Sequence, residues 1–171
     1  MNAPTSQAPV SRPAPGLPRE LLDSTTFLLK RLGFAAKEQS MAAYEETGLH
    51  PYHYAIMLVL DEGSHETQGS IADALGYDRG QLVGLLDELE EHGLVERKRD
   101  PADRRRHLVS LTSEGVRTLG ELRTLARKIE DGFLAPLSEG ERADLHALLL
   151  KLCETHEPRC APHVSPTRTE G

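Results

Sequence analysis

The sequence predicts a mainly helical α+β chain: two short helices run straight into a small β-hairpin, with longer helices on either side. Three observations predict it. Apolar residues recur at helical spacing from about residue 18 to residue 156. That period gives way to alternation only between residues 94 and 111. Between the two alternating runs lies Asp-Pro-Ala-Asp-Arg-Arg-Arg, rich in turn formers and in positive charge.

Residues 1–17 read as a disordered tail, with five prolines or glycines and too few apolar side chains to offset the entropy of ordering. Residues 18–50 form the first helical segment. Leu21, Leu22, Leu28, Leu29, Leu32, Ala35 and Ala36 continue through Met41 to Tyr44, which predicts one long helix ending near Gly48. Residues 51–112 form the central unit. Pro51 fits the first turn of a helix, where its missing N–H costs nothing, and Gly63 ends that helix. Thr67 caps a short helix carrying Ile71, Ala72 and Leu75, closed by Gly76. Asp78 caps the next, with Leu82, Val83, Leu85, Leu86 and Leu89 inside and Gly93 at its end. Residues 94–97 and 107–111 are the two strands of the hairpin. Over 113–156, Thr112 or Ser113 caps a long helix with Val116, Leu119, Leu122, Leu125 and Ile129. Ser138 with Glu141 makes a capping box for a last helix lined by Leu145, Leu148, Leu149 and Leu152. Residues 157–171 read as a second disordered tail.

At 171 residues the chain suffices for one domain with a dimerisation extension. Its net charge of −7 opposes phosphate binding only if charge is spread evenly. It is not. Residues 96–106 hold six cations (Arg97, Lys98, Arg99, Arg104, Arg105, Arg106) against three acids. No run of eighteen apolar residues and no signal-peptide core is present, so the expectation is a cytoplasmic protein without membrane contact. Two cysteines close together near the C-terminus make no disulfide framework. HExxH, GxSxG, GxGxxG and P-loop motifs are all missing, which speaks against an enzyme.

Two short helices through a glycine turn, followed by a basic hairpin, are the winged form of the helix-turn-helix. The second helix suits the width of the major groove, and the wing carries arginine toward the minor groove. The expected partner is double-stranded DNA. The Leu-rich first and last helices have apolar faces wider than a monomer of this size covers, which predicts a homodimer. The alternative is an architectural or protein-interaction module that uses the fold without a specific operator.

Residues 67–115, and above all Asp-Pro-Ala-Asp-Arg-Arg-Arg-His-Leu-Val-Ser-Leu-Thr, resemble the MarR family of transcriptional regulators. The resemblance extends more weakly over residues 19–155. It implies a dimer with intertwined N- and C-terminal helices and a winged unit on each side, binding a pseudo-palindromic operator, as a ligand-responsive repressor does. In that pattern Asp103 orients Arg105 in the minor groove, and Arg104 and Arg106 are auxiliary phosphate contacts. Asp78, Arg79, Gln81, Leu82 and Gly84 match DNA-facing positions of the recognition helix. Relatives often carry arginine where this chain has Gly84, so Arg79 and Gln81 are the favoured base contacts, suited to guanine and adenine. Thr67, Gln68 and Ser70 match the backbone-anchoring start of the preceding helix. Small anionic or phenolic effectors bind such regulators between the dimerisation helices and the winged unit, which makes Tyr44, His50, His53 and Tyr54 candidate cleft residues. Hydroperoxide-sensing members use a cysteine in the first helix, and this chain has none there.

Cys153, His156, Cys160 and His163 have zinc-type side chains, but the spacing leaves too short a loop for an ordinary finger. No metal and no other cofactor is expected.

Overall fold

The computed structural model describes residues 16–63, 66–101, 103, 106–157 and 159. In order the elements are α1 (Arg19–Leu22), α2 (Thr25–Glu45), α3 (Pro51–Glu62), β1 (Glu66–Thr67), α4 (Gln68–Leu75), α5 (Arg79–Glu91), β2 (Val95–Arg99), β3 (His107–Leu111), α6 (Ser113–Phe133) and α7 (Glu139–His156). They divide into two compact units, the first ending at Lys37 and the second beginning at Glu38.

In the first unit the single long helix expected from Leu21 onward is broken. α1 stops when the Asp23 amide donates to the Arg19 carbonyl, and Ser24 Oγ then accepts the Phe27 amide at 3.3 Å, as a cap does. A serine that can satisfy an orphan amide at a helix start offers the chain this alternative to continuing. Leu21, Leu22, Leu28, Leu29, Leu32 and Phe34 remain exposed.

The second unit holds the core. Ile56, Met57 and Leu60 of α3, Ile71 and Ala72 of α4, and Leu82, Leu85, Leu86 and Leu89 of α5 are buried with Val95, Val109, Leu119 and Leu122. Each set follows the period of its element, so α3, α4, α5 and α6 each present one apolar stripe inward. The helices begin on the expected caps. Thr67 Oγ1 accepts the Ser70 amide at 3.1 Å, Asp78 Oδ1 accepts those of Gly80 and Gln81 at 2.8 and 3.2 Å, and Thr112 Oγ1 accepts that of Gly115 at 3.0 Å. Ser138 and Glu141 cap α7 reciprocally. α5 ends with the Leu94 amide on the Leu89 carbonyl and the Gly93 amide on the Glu90 carbonyl, which requires the left-handed φ of +69° that Gly93 adopts.

Among the described residues the sheet has three strands where two were expected, in the order β1-β3-β2 and antiparallel throughout. β1 is only two residues long, Glu66 opposite Val109 and Thr67 opposite Leu108, too short to show an alternation in sequence. It ties the start of α4 to the middle of β3. Among the described residues no helix is long and apolar enough to cross a membrane.

Candidate nucleic-acid interface

α5 is bounded at its start by a carboxylate cap and along one side by four leucines, and these two constraints decide what its other face presents. Leu82, Leu85, Leu86 and Leu89 point into the core. Arg79, Gln81, Val83 and Gly84 are therefore left on the solvent side, where all four are exposed. Leu82 is 1% exposed, so its match to a DNA-facing position is corrected and the helical period, which puts it inside with Leu85, Leu86 and Leu89, decides. Val83, expected inside with them, is instead 42% exposed because it falls off that stripe. Asp78 is exposed, but its carboxylate holds the first turn of α5. A Cβ at Gly84 would meet nothing within 4 Å, so the surface there is open.

The turn before α5 is equally constrained. Gly76 takes φ +66° at the end of α4, and the Tyr77 amide returns to the Ala72 carbonyl at 3.1 Å. Thr67 and Ser70 are occupied with each other, since the Thr67 amide also donates to Ser70 Oγ at 2.9 Å. Their part is to fix the start of α4, with Gln68 half-buried beside them.

In the hairpin the strand period sorts the basic residues. Val95, Arg97 and Arg99 share one face of β2, opposite Leu111, Val109 and His107. Val95 and Val109 are buried there, so Arg97 follows them inward and meets α5. Its guanidinium lies 2.5 Å from Asp87 and 3.4 Å from Glu90, with the side chain 20% exposed. Arg97 thus ties the wing to the recognition helix and is not a wing-tip cation. On the other face Lys98 pairs with Glu96 at 2.5 Å. Arg99 and Arg106 are exposed. The tip is closed by the Asp100 amide on the Arg106 carbonyl at 3.0 Å and the Arg106 amide on the Asp103 carbonyl at 2.9 Å. Asp103 is exposed, and Arg104 and Arg105 lie outside the described residues.

The four candidate cleft residues do not share one surface. Tyr44 and His53 are each 2% exposed and belong to the core, which corrects their assignment as cleft lining; His50 and Tyr54 are half-buried. They were singled out by residue type, which says nothing of the direction in which a helix points them. Burial, with the neighbouring Tyr54 phenol adding to it, pushes the Tyr44 hydroxyl up to about 12. Its ring stacks obliquely on Tyr54, centroids 6.1 Å apart. His50 caps α3, its Nδ1 accepting the Tyr52 amide at 3.3 Å. His53 Nδ1 accepts the His50 amide at 3.1 Å, and its Nε2 lies 3.0 Å from Glu88 of α5. These ties between α3 and α5, and the Arg97 tie, were missed in sequence; the alternation Val95, Arg97 was the available signal for the latter.

Cys153 and His156 sit at the end of α7, while Cys160 and His163 lie outside the described residues. Among the described residues no group of three or more His, Cys, Asp or Glu gathers as metal ligands do.

The family model described as the MarR family matches residues 47–106. A putative transcriptional regulatory protein for the hcr operon of Thauera aromatica is 31% identical over 129 residues, covering 71% of this chain and 78% of the relative. The transcriptional repressor CouR, solved bound to a 23-mer DNA duplex, is similar with a TM-score of 0.72 at 32% identity, over 78% of this chain and 95% of that one. CouR from Rhodococcus jostii RHA1 bound to p-coumaroyl-CoA gives a TM-score of 0.66 at 28% identity, over 85% of this chain and 98% of that one.

Proposed function

The chain belongs to the MarR family of transcriptional regulators, and from that premise we propose that it is a non-catalytic, ligand-responsive repressor that binds a pseudo-palindromic operator as a homodimer in the cytoplasm. The observation that carries the reading is the first turn of α5. There the Asp78 cap and the buried leucines leave Arg79 and Gln81 exposed together at the start of a helix, directly ahead of a basic hairpin. Arg79 pairs with a guanine edge and Gln81 with an adenine edge in the major groove. Arg105 enters the minor groove, oriented by Asp103, while Arg104 and Arg106 meet phosphates.

The effector is a small anionic aromatic compound or its thioester, a class consistent with the p-coumaroyl-CoA bound by the relative from Rhodococcus jostii RHA1. His50 and Tyr54 offer it polar groups. Ligand and DNA favour different spacings of the two winged units, so each weakens the other's binding by the same factor.

The test is a titration against salt on a duplex from the intergenic region beside the gene and on random DNA. A specific regulator keeps a large preference for the first, whereas an architectural module shows only the salt-dependent term. Arg105→Ala should cost about 1–3 kcal/mol and flatten the salt slope without changing base preference. Arg79→Ala or Gln81→Ala should instead relax preference at one position in each half-site. Equal affinity for both DNAs would overturn the proposed function.

A further inference from the structure

His53 is a buried polar side chain at the third residue of α3, packed among the apolar side chains of the core. Its two ring nitrogens face different elements. Nδ1 accepts the His50 amide at 3.1 Å and so completes the reciprocal cap of α3. Nε2 lies 3.0 Å from a carboxylate oxygen of Glu88 on α5, too far out of line for a good hydrogen bond, and has no hydrogen-bond partner. An imidazole that accepts through Nδ1 is neutral and carries its proton on Nε2. That tautomer presents an N–H toward the carboxylate and a lone pair toward the cap. Only the neutral ring offers an acceptor to the cap together with an uncharged N–H toward Glu88.

We propose that neutral His53 is a positioning residue, which registers α5 against the capped start of α3 and loses that role when the ring is protonated. The proposal rests on α5 being the recognition helix. A proton taken from solvent onto Nδ1 makes that atom a donor facing the His50 amide, itself a donor. The capping bond is lost, and the turn through Thr47, Gly48 and Leu49 loses one of its anchors. The ring is at the same time drawn harder toward Glu88. The start of α3 and the body of α5 are then pulled out of register, and α5 no longer presents Arg79 and Gln81 as the neutral state does. The titratable groups facing the ring are Glu88 and His92 from α5 and His50 from the cap of its own helix. Burial lowers the affinity of His53 for a proton, Glu88 raises it, and His50 and His92 lower it. The midpoint therefore lies below the ordinary histidine value, and the neutral state is the one held at neutral pH.

Glutamine separates positioning from titration. Its side chain accepts through oxygen and donates through nitrogen, but does not ionise in this range. The measurement is affinity between pH 7.5 and 5 for a duplex selected by this protein from a randomised pool. The parent should weaken about twofold where half of His53 is protonated and about tenfold one unit lower. His53→Gln should bind like the parent at pH 7.5 and stay level as the pH falls, while His53→Leu should bind weakly at every pH. Glu88→Gln should move the acid midpoint down. Parallel pH profiles for the parent and His53→Gln would overturn the proposal.

A readout without DNA keeps failure here distinct from failure of the regulator reading. The imidazole ¹⁵N signals of His53 should show Nε2 protonated and Nδ1 bare at neutral pH, with a midpoint below that of exposed histidines. The opposite tautomer would end the positioning role whether or not the protein binds DNA.

Discussion

Arg97 and His53 show how single residues join the wing, α3 and the recognition helix. Arg97 reaches Asp87 and Glu90 from β2, one cation to two carboxylates on α5. The carboxylates are about half exposed, so the pair of contacts stabilises by about 1 kcal/mol. Arg97→Ala should lower the melting temperature by a few degrees and weaken DNA binding evenly across sequences. Arg97→Lys should not restore it, because an ammonium does not span both acids as a planar guanidinium does. Calorimetry together with a panel of single-base operator changes checks both statements. A change in base preference would mean that Arg97 contacts a base. For His53 the linkage sign follows from its lowered folded value, held down first by burial. Its contribution to stability is fully present above the unfolded value of about 6.5 and is lost as pH falls through the interval down to the folded value. Urea unfolding at pH 7.5 and pH 5 should show that loss in the parent and a smaller one in His53→Gln.

Among the elements, α5 and α6 are the most exposed to small changes at their starts. Asp78→Ala removes the acceptor of two amides and should cost about 0.5–2 kcal/mol, seen as a lower denaturant midpoint and faster exchange in the first turn of α5. At the start of α6 the chain passes close behind the end of α5. A Cβ on Gly115 would come within 2.0 Å of the Leu94 carbonyl oxygen. That oxygen already accepts the Thr112 amide at 3.0 Å, so it cannot move aside without breaking the junction. Gly115→Ala should therefore destabilise by about 1–3 kcal/mol although alanine is the better helix former. An unchanged or raised melting temperature would show that the junction gives way more easily than this geometry indicates. Gly84→Ala meets no neighbour and should stabilise by up to about 1 kcal/mol, which makes it the matched control in the same calorimetry.

For the whole molecule the decisive feature is apolar surface that the single chain leaves in water. α7 buries no residue, and Leu148, Leu149, Leu150 and Leu152 are exposed along it. Leu28, Leu29, Leu32 and Phe34 are exposed on α2. Exposed apolar residues on each of these two helices predict that a second copy of the chain covers them. Light scattering at micromolar concentration should give twice the mass of the chain. A two-fold dimer then requires half-sites about 34 Å apart or slightly more, which footprinting measures. Leu148→Glu combined with Leu152→Glu should yield a monomer with operator affinity reduced at least tenfold; a stable monomer that binds as tightly as the parent would end the two-fold reading.

Local chemistry decided much of this protein before any packing was known. Thr67, Asp78, Thr112 and Ser138 each cap the helix they precede because a side-chain oxygen beside orphan amides acts within three residues. The leucine spacing of α5 and the change to alternation after Gly93 likewise place the recognition helix and the wing, since helical and strand periods leave different marks. Tertiary structure decided the rest. Whether Leu82 faces groove or core depends on which side of α5 the neighbouring helices cover, and whether Tyr44 and His53 line a cleft depends on how deeply the end of α2 and the start of α3 pack. The third strand needs a partner some forty residues away, and Arg97, which the alternation of β2 sets on the inward face, finds partners there only because acids of α5 lie across from it. These outcomes rest on contacts between residues distant in the chain, where composition and spacing carry no record of which faces meet.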